Sequence, residues 1–312
     1  MMTMTKGIAV APFRLAPYFS PRIWGKADLR PWYESTGTTE LVGEAWLTGP
    51  ESVVESGELA GRSLASVVKE FGDAVIGPGG DGEFPLLVKI LFPNEKLSLQ
   101  VHPDDAHAQA MGQPRGKTEC WYVLEAEPGA AVALGLKPGV GAAEVRAAVA
   151  DGTMEDLMEH VPVEVGDMVF VDAGTVHAIL PGVVLLETQQ TSDTTFRMYD
   201  YGRPRELHLE QGLGVMKTHT KAGKVAPKQM DGFTRLIEEQ YFSVDRFDVA
   251  AGSVQVAMDG PGCLVGLKGA GTVDGLAFKA GQAVVVPAGS DGVRVEARDG
   301  FSFARCVAPA TK

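Results

Sequence analysis

Apolar runs of strand length, rich in Val and closed off by Gly or Pro, recur along the whole chain, as in EFPLLVKILF (83–92), VEVGDMVFVDAGTVHAIL (163–180) and GVVLLETQQ (182–190). Runs this short, with 38 glycines and 19 prolines to turn the chain between them, point to a β-rich fold and away from a helical bundle. A chain of 312 residues, 45% of them hydrophobic, can bury a large core as one big domain or two joined ones.

Helical spacing is confined to two places. In SLASVVKEFGDAVIG, near 63–76, Leu64, Val67, Val68 and Phe71 share a face behind Ser63, a natural N-cap. GAAEVRAAVADGTMEDLMEH (141–160) reads as two short helices split at Asp151-Gly152. Between them, TECWYVLEAEPGAAVALGL reads as two strands around the turn at Pro128-Gly129. The polar, lysine-dotted segment KTHTKAGKVAPKQMDG (217–232) lacks either hydrophobic period and marks a boundary between residues 1–220 and a β-rich portion, 233–312. That portion holds an internal echo: GDMVFVDAGTVH (166–177) aligns without gaps to GQAVVVPAGSDG (281–292), with five identities in twelve positions. His177 corresponds to Gly292, so the chemistry is expected in the first unit and a structural role in the second.

The net charge of −12 argues against a general nucleic-acid binder, which needs basic surface to displace counterions, but leaves room for a small anionic ligand. Three widely spaced cysteines, Cys120, Cys263 and Cys306, give neither a disulfide framework nor a CxxC zinc site, and so favour a reducing compartment. The N-terminal stretch is too short and too interrupted for a signal sequence or a membrane span. These features together give the expectation of a soluble, cytoplasmic protein.

Side chains at i and i+2 of a strand share a face. In SLQVHPDD, Gln100 and His102 therefore converge, in GKTECWY Lys117 and Glu119 share a face with Trp121, and in TTFRMY Thr195, Arg197 and Tyr199 align. With His177, after a Val/Phe strand, the chain offers two imidazoles, a carboxylate and a carboxamide oxygen, a set suited to zinc or another borderline divalent ion with a position left open. Each piece has a plainer reading. HPDD alone is a strand-ending turn, Glu119 could pair with a lysine, Trp121 and Tyr122 could be core, and Arg197 could be a structural ion-pair partner.

LSLQVHPDD, GKTECWYVLEAEPGA, VPVEVGDMVFVDAGTVHAI and LETQQTSDTTFRMYDYGR are similar, in order, to the signature segments of type I mannose-6-phosphate isomerases in their short bacterial form. GEAWLTGPES and FPLLVKIL extend the resemblance, which runs from about Pro12 to Arg205. It implies a mainly β fold, a cupin-type jelly-roll β-sandwich; to this the helical spacing adds a small helical insertion, and the internal echo a second, C-terminal cupin-like unit without a metal site, a portion that resembles the family only in being β-rich. The resemblance also implies one zinc per chain, other divalent metals being alternatives, held by Gln100, His102, Glu119 and His177. Ser98, Lys117 and Arg197 fall at its substrate positions, with Lys117 and Arg197 as the catalytic cations.

The chain departs from the general cupin motif in carrying Gln100 where a first histidine is usual, and in placing Glu119 seventeen residues past His102. Both departures are features of the isomerase branch. Asp172 replaces the proline more common before its Gly-Thr-His turn. The expected activity is interconversion of mannose 6-phosphate and fructose 6-phosphate through an enediol, with a small sugar phosphate as the partner and neither nucleic acid nor membrane. The alternative is a non-catalytic metal-containing cupin that binds sugars or sugar phosphates, for which two cations beside the metal have little use. A cupin oxygenase would present more histidines. His107, His160, His208 and His219 are read as surface or helix residues.

Overall fold

The computed structural model describes residues 10–290 and 292–310; the residues that bear on a leader segment, and Asp291 of the C-terminal echo, lie outside the described residues. The chain divides into two compact units, one of residues 19–44 and 90–226, the other of residues 10–18, 45–89 and 227–310 within the described range. The last cut falls inside the polar segment 217–232, but a single boundary there leaves out the N-terminal pieces that pack with the C-terminal strands. The reason is long-range strand pairing. Phe13–Leu15 lies antiparallel to residues 283–285, with Phe13 opposite Val285 and Leu15 opposite Ala283.

The unit of residues 19–44 and 90–226 is built on two antiparallel sheets. One runs, in order, Phe196–Tyr199, Leu99–Val101, His177–Ile179, Ala131–Leu136 and Met158–Pro162. The other begins Gly223–Val225, Met168–Val171, Glu119–Ala126 and Val183–Gln190, and continues through Leu86–Leu91, Val42–Trp46 and Tyr18–Lys26, strands in which the division between units falls. Trp121, Val123, Val169, Val171 and Leu185 from the second sheet meet Val132, Leu134 and Ile179 from the first in one buried cluster. Burying each such side chain is worth about 1.5–3 kcal/mol, which is what holds the sheets face to face.

The strands on either side of Pro128-Gly129 enter different sheets, so this segment is an arch between the layers and not a hairpin. Gly129, at φ 82°, takes the left-handed backbone that the bend needs. On the outer face of the first sheet, Leu99, Val101, Ala133, Ala178 and Met198 are covered by helix Ala142–Asp151 and the 3₁₀ turn Met154–Leu157. Gly152, left-handed at φ 76°, ends that helix where the sequence splits. Residues 158–160 do not continue as helix: Met158–Pro162 is an edge strand paired with Ala131–Leu136, because the buried Met158 and the exposed Glu159 and His160 suit the rim of a sheet.

In the other unit, the Ser63 hydroxyl accepts from Ser66 N to cap helix Leu64–Phe71, which stops at Gly72 (φ 45°) before a single turn, Asp73–Ile76. Its C-terminal strands enclose a second core around Phe247, Phe278, Phe301 and Phe303. The long strand Gly262–Val273 pairs with Ala283–Val286 and Phe301–Val307 in its first half and with Leu276–Lys279 in its second. Met168–Val171 and Ala283–Val286 occupy the same four positions of the two echoing segments, and each is followed by a turn at an Ala-Gly pair. Among the described residues no helix is long and apolar enough to cross a membrane.

Candidate metal centre

The site lies in the unit of residues 19–44 and 90–226, between its two sheets. Across the first sheet, Arg197, Gln100 and His177 stand directly opposite one another in register, so their side chains share the inner face. Leu99 and Val101 alternate to the outer face, beneath the helices. Across the second sheet, Glu119 stands between Val171 and Gln189. Glu119 is therefore presented from one layer to imidazoles carried by the other.

His102, Glu119 and His177 offer ligand atoms that all lie within 4.8 Å of one another, and all three residues are buried. His102 Nε2 is 3.6 Å from Glu119 Oε2, and His177 Nε2 is 3.4 Å from Glu119 Oε1. Each ring is turned by a backbone carbonyl: His102 Nδ1 lies 3.0 Å from Thr194 O and His177 Nδ1 lies 2.9 Å from Thr175 O. A carbonyl can only accept, so Nδ1 carries the proton and Nε2 keeps its lone pair toward Glu119. Burial pushes the His177 pKa down to about 4, with Lys117 adding to the shift, so the ring is neutral near pH 7.

The turn that delivers His177 is tied down locally. Asp172 accepts from the Thr175 hydroxyl (2.9 Å) and from Lys221 N (3.1 Å), which places this carboxylate in the turn and not on the imidazole. Gly174, at φ 93°, donates its N–H to His102 O and lies against the Lys217 stem, where an added Cβ would come within 2.7 Å of a methylene carbon. Only glycine suits that position.

Lys117 is buried beside the cluster, with Nζ 3.0 Å from Glu119 Oε2 and 3.2 Å from His102 Nε2. Burial lowers the pKa of its ammonium, but the charges of Glu119, Glu187 and Asp193 more than offset this and hold it above the ordinary lysine value. The contact with Glu119 has ion-pair distance without hydrogen-bond geometry, and Glu119 Oε2 is buried with no hydrogen-bond partner. Glu119 Oε2 thus has an ammonium at ion-pair distance but no hydrogen bond, and each oxygen of the carboxylate faces one imidazole nitrogen, an arrangement that a divalent cation would complete.

Gln100 reaches the same point, but with its amide nitrogen 3.4 Å from His177 Nε2 and its oxygen accepting from the Ser98 hydroxyl at 3.4 Å. Rotating the amide half a turn exchanges its oxygen for its nitrogen without changing its shape. Arg197 is half-buried. Its Nη1 donates to Glu206 O (2.7 Å), while Nε is buried without a hydrogen-bond partner. Burial, reinforced by Arg205, lowers its pKa from the usual value. The alternation expected for Thr195, Arg197 and Tyr199 breaks at a bulge: Tyr199 is opposite Leu99, and its hydroxyl leaves the site to donate to Gly152 O.

Contacts in the structure link Ser98, Gln100, His102, Lys117, Glu119 and His177, while Arg197 stands opposite Gln100 in register with its guanidinium on Glu206 O. The structure adds Glu187, buried opposite Trp121 and accepting from the Trp121 indole N–H at 3.2 Å, and Gln189, opposite Glu119. Both carry the same i, i+2 signal, within GVVLLETQQ. Of the other histidines, His107 pairs with Asp104 in an exposed contact, His160 and His219 are exposed, and His208 Nδ1 accepts from Arg197 N.

Residues 12–135 match the family described as phosphomannose isomerase type I, catalytic domain. The chain is 35% identical to a mannose-6-phosphate isomerase of Streptococcus mutans over 88% of its own length and 92% of that protein. It is 33% identical to the mannose-6-phosphate isomerase ManA of Bacillus subtilis over 95% and 98% of the two chains. The crystal structure of a Bacillus subtilis mannose 6-phosphate isomerase superposes with a TM-score of 0.83 at 29% identity, covering 95% of this chain and 99% of that one, and gives the sandwich its place in the cupin fold. A phosphomannose isomerase of Salmonella typhimurium shares the fold at 17% identity, with a TM-score of 0.78 over 96% and 100% of the chains.

Proposed function

Because the chain belongs to the type I mannose-6-phosphate isomerase family, we propose that it interconverts mannose 6-phosphate and fructose 6-phosphate at the His102–Glu119–His177 cluster. The reaction moves a proton between C2 and C1 through an enediol. A bound divalent ion, zinc in this reading and one per chain, supplies positive charge against the oxygens on those carbons and lowers the cost of breaking a weakly acidic C–H bond. His102, Glu119 and His177 would hold it, with Gln100 as a fourth ligand through its amide oxygen.

The chain's own side chains do the rest. Lys117 and Arg197 present fixed cations to the enediolate and the phosphate without reorganising when charge develops. Ser98, on the same strand face as Gln100, offers its hydroxyl to the sugar phosphate, and its oxygen accepts from the Gln100 amide nitrogen when the amide oxygen is turned to the metal. The Nδ1 contacts of both imidazoles keep their lone pairs directed at the cluster while substrate enters. The sandwich walls keep bulk water from the intermediate. The observation that carries the reading is a buried two-imidazole, one-carboxylate cluster with a buried lysine against it, in a chain so similar to named isomerases. A binding-only protein gains little from keeping Lys117 desolvated there. A coupled assay of fructose 6-phosphate formation, run with and without chelator, tests the reading: turnover that chelation abolishes and zinc restores supports it, and metal-dependent binding without turnover overturns it.

A further inference from the structure

The end of strand Val183–Gln190 carries two consecutive glutamines that the structure treats differently. Gln190 has both ends of its amide used: its oxygen accepts from Thr118 N at 2.9 Å and its nitrogen donates to Asp105 Oδ1 at 3.0 Å. Gln189 points the other way, directly opposite Glu119 in register, and so toward the inner face of the sandwich. It is fully buried, at 0% exposure. Its amide nitrogen is committed to two backbone carbonyls, Gln190 O at 2.9 Å and Ser192 O at 2.6 Å. Its oxygen is buried with no hydrogen-bond partner. The assignment of nitrogen and oxygen is fixed chemically, because a rotated amide would set oxygen against two carbonyl oxygens.

Gln189 Oε1 is thus an acceptor that cannot turn away and that nothing in the protein satisfies. A buried polar atom in this state is disfavoured unless a ligand completes it. We propose that Gln189 is a substrate-binding residue whose Oε1 accepts a hydrogen bond from a hydroxyl of the bound sugar phosphate. The proposal rests on the isomerase reading and deepens it. The oxygens on C1 and C2 are those the reaction transforms and C6 carries the phosphate. In the open chain from which the enediol forms, the hydroxyls left to meet Gln189 are those on C3, C4 and C5.

The test compares wild type and Gln189→Met on mannose 6-phosphate and its 3-deoxy, 4-deoxy and 5-deoxy analogues, with bound metal measured on every preparation. In the wild type, one deoxy analogue should lose about tenfold to a hundredfold in kcat/KM, the scale of leaving a buried acceptor unpaired. In Gln189→Met, activity on the parent should fall by a similar factor with metal content unchanged, and the penalty for that analogue should shrink to about threefold or less. A variant that suffers equally on parent and analogues has lost only a support for the 191–195 loop, and this overturns the proposal while leaving the isomerase reading intact. A wild type without turnover fells both. Should Gln189→Met not fold, a crystal structure of the wild type with the open-chain analogue mannitol 6-phosphate decides: a sugar hydroxyl within about 3.2 Å of Oε1 supports the role, and a water or no partner there refutes it.

Discussion

Glu119→Gln keeps the shape of the side chain and removes its charge, so it isolates the electrostatics of the site. Lys117 and Glu119 are 5% and 1% exposed, and at their 3.0 Å separation an effective dielectric constant of 20 gives 332/(20 × 3.0), about 5.5 kcal/mol of attraction. Removing one member of a buried pair costs roughly 3–5 kcal/mol, because the other charge stays behind without water. Glu187 and Asp193 still act on Lys117, which places the expected loss near the lower end, about 3 kcal/mol. Urea unfolding in the presence of chelator measures it without interference from metal. Adding Lys117→Met to Glu119→Gln removes the stranded ammonium and should recover most of the loss. If Glu119→Gln in chelator lies within about 0.5 kcal/mol of wild type, the contact is a weak one and the reasoning fails.

Three further outcomes are expected. His102→Ala and His177→Ala should each lower bound zinc as measured by elemental analysis, whereas Cys120→Ser should keep it, because Cys120 faces away from Glu119 on the alternating strand. Arg197→Ala should cut kcat by roughly a hundredfold or more with metal content intact, and Arg197→Lys should restore only part, since an ammonium lacks the planar fork. A rise in KM alone would instead make Arg197 a phosphate anchor used equally in ground and transition states. Truncation after Ala226 should give insoluble protein, because it removes the 283–285 partner of Phe13–Leu15 and leaves residues 10–18 and 45–89 without the C-terminal strands of their unit; a soluble, folded product in circular dichroism would contradict this.

Local chemistry made much of the fold legible in the sequence. Short Val-rich apolar runs closed by Gly or Pro marked Met168–Val171 and Val183–Gln190 as strands, the turn at Pro128-Gly129 marked the end of Glu119–Ala126, and Ser63 and Gly152 marked where helices begin and end. What the sequence withheld was partnership. Nothing in FRL at 13–15 says that it pairs with residues some 270 positions away, so a linear cut near 220–233 cannot recover a unit assembled from three pieces of chain. Pro128-Gly129 announces a bend, but hairpin and arch need the same left-handed glycine and differ only in whether the following strand pairs with the preceding one or crosses to the facing sheet. Met158 through His160 are ambiguous for another reason. Three residues are less than one helical turn, and the edge of a sheet settled a segment too short to have a period of its own.

The site follows the same division between what a strand shows alone and what only a facing strand reveals. Ser98 and Gln100, and Lys117 and Glu119, were each visible as pairs of polar side chains on one face, because alternation is a property of a single strand. Glu187 and Gln189 have that property too, yet within VVLLETQQ they follow a run that reads as buried on both faces and pass for the polar end of a strand. Only pairing with Glu119–Ala126 sets Glu187 against Trp121 and Gln189 against Glu119, and so turns a strand end into a wall of the site. Lys117 gains its meaning in the same way. In sequence it is one cation next to one carboxylate; in the sandwich it faces Glu119 and Glu187 together, two carboxylates to one ammonium, and the negative charge left over is what makes a buried cluster of this composition a place for a further cation.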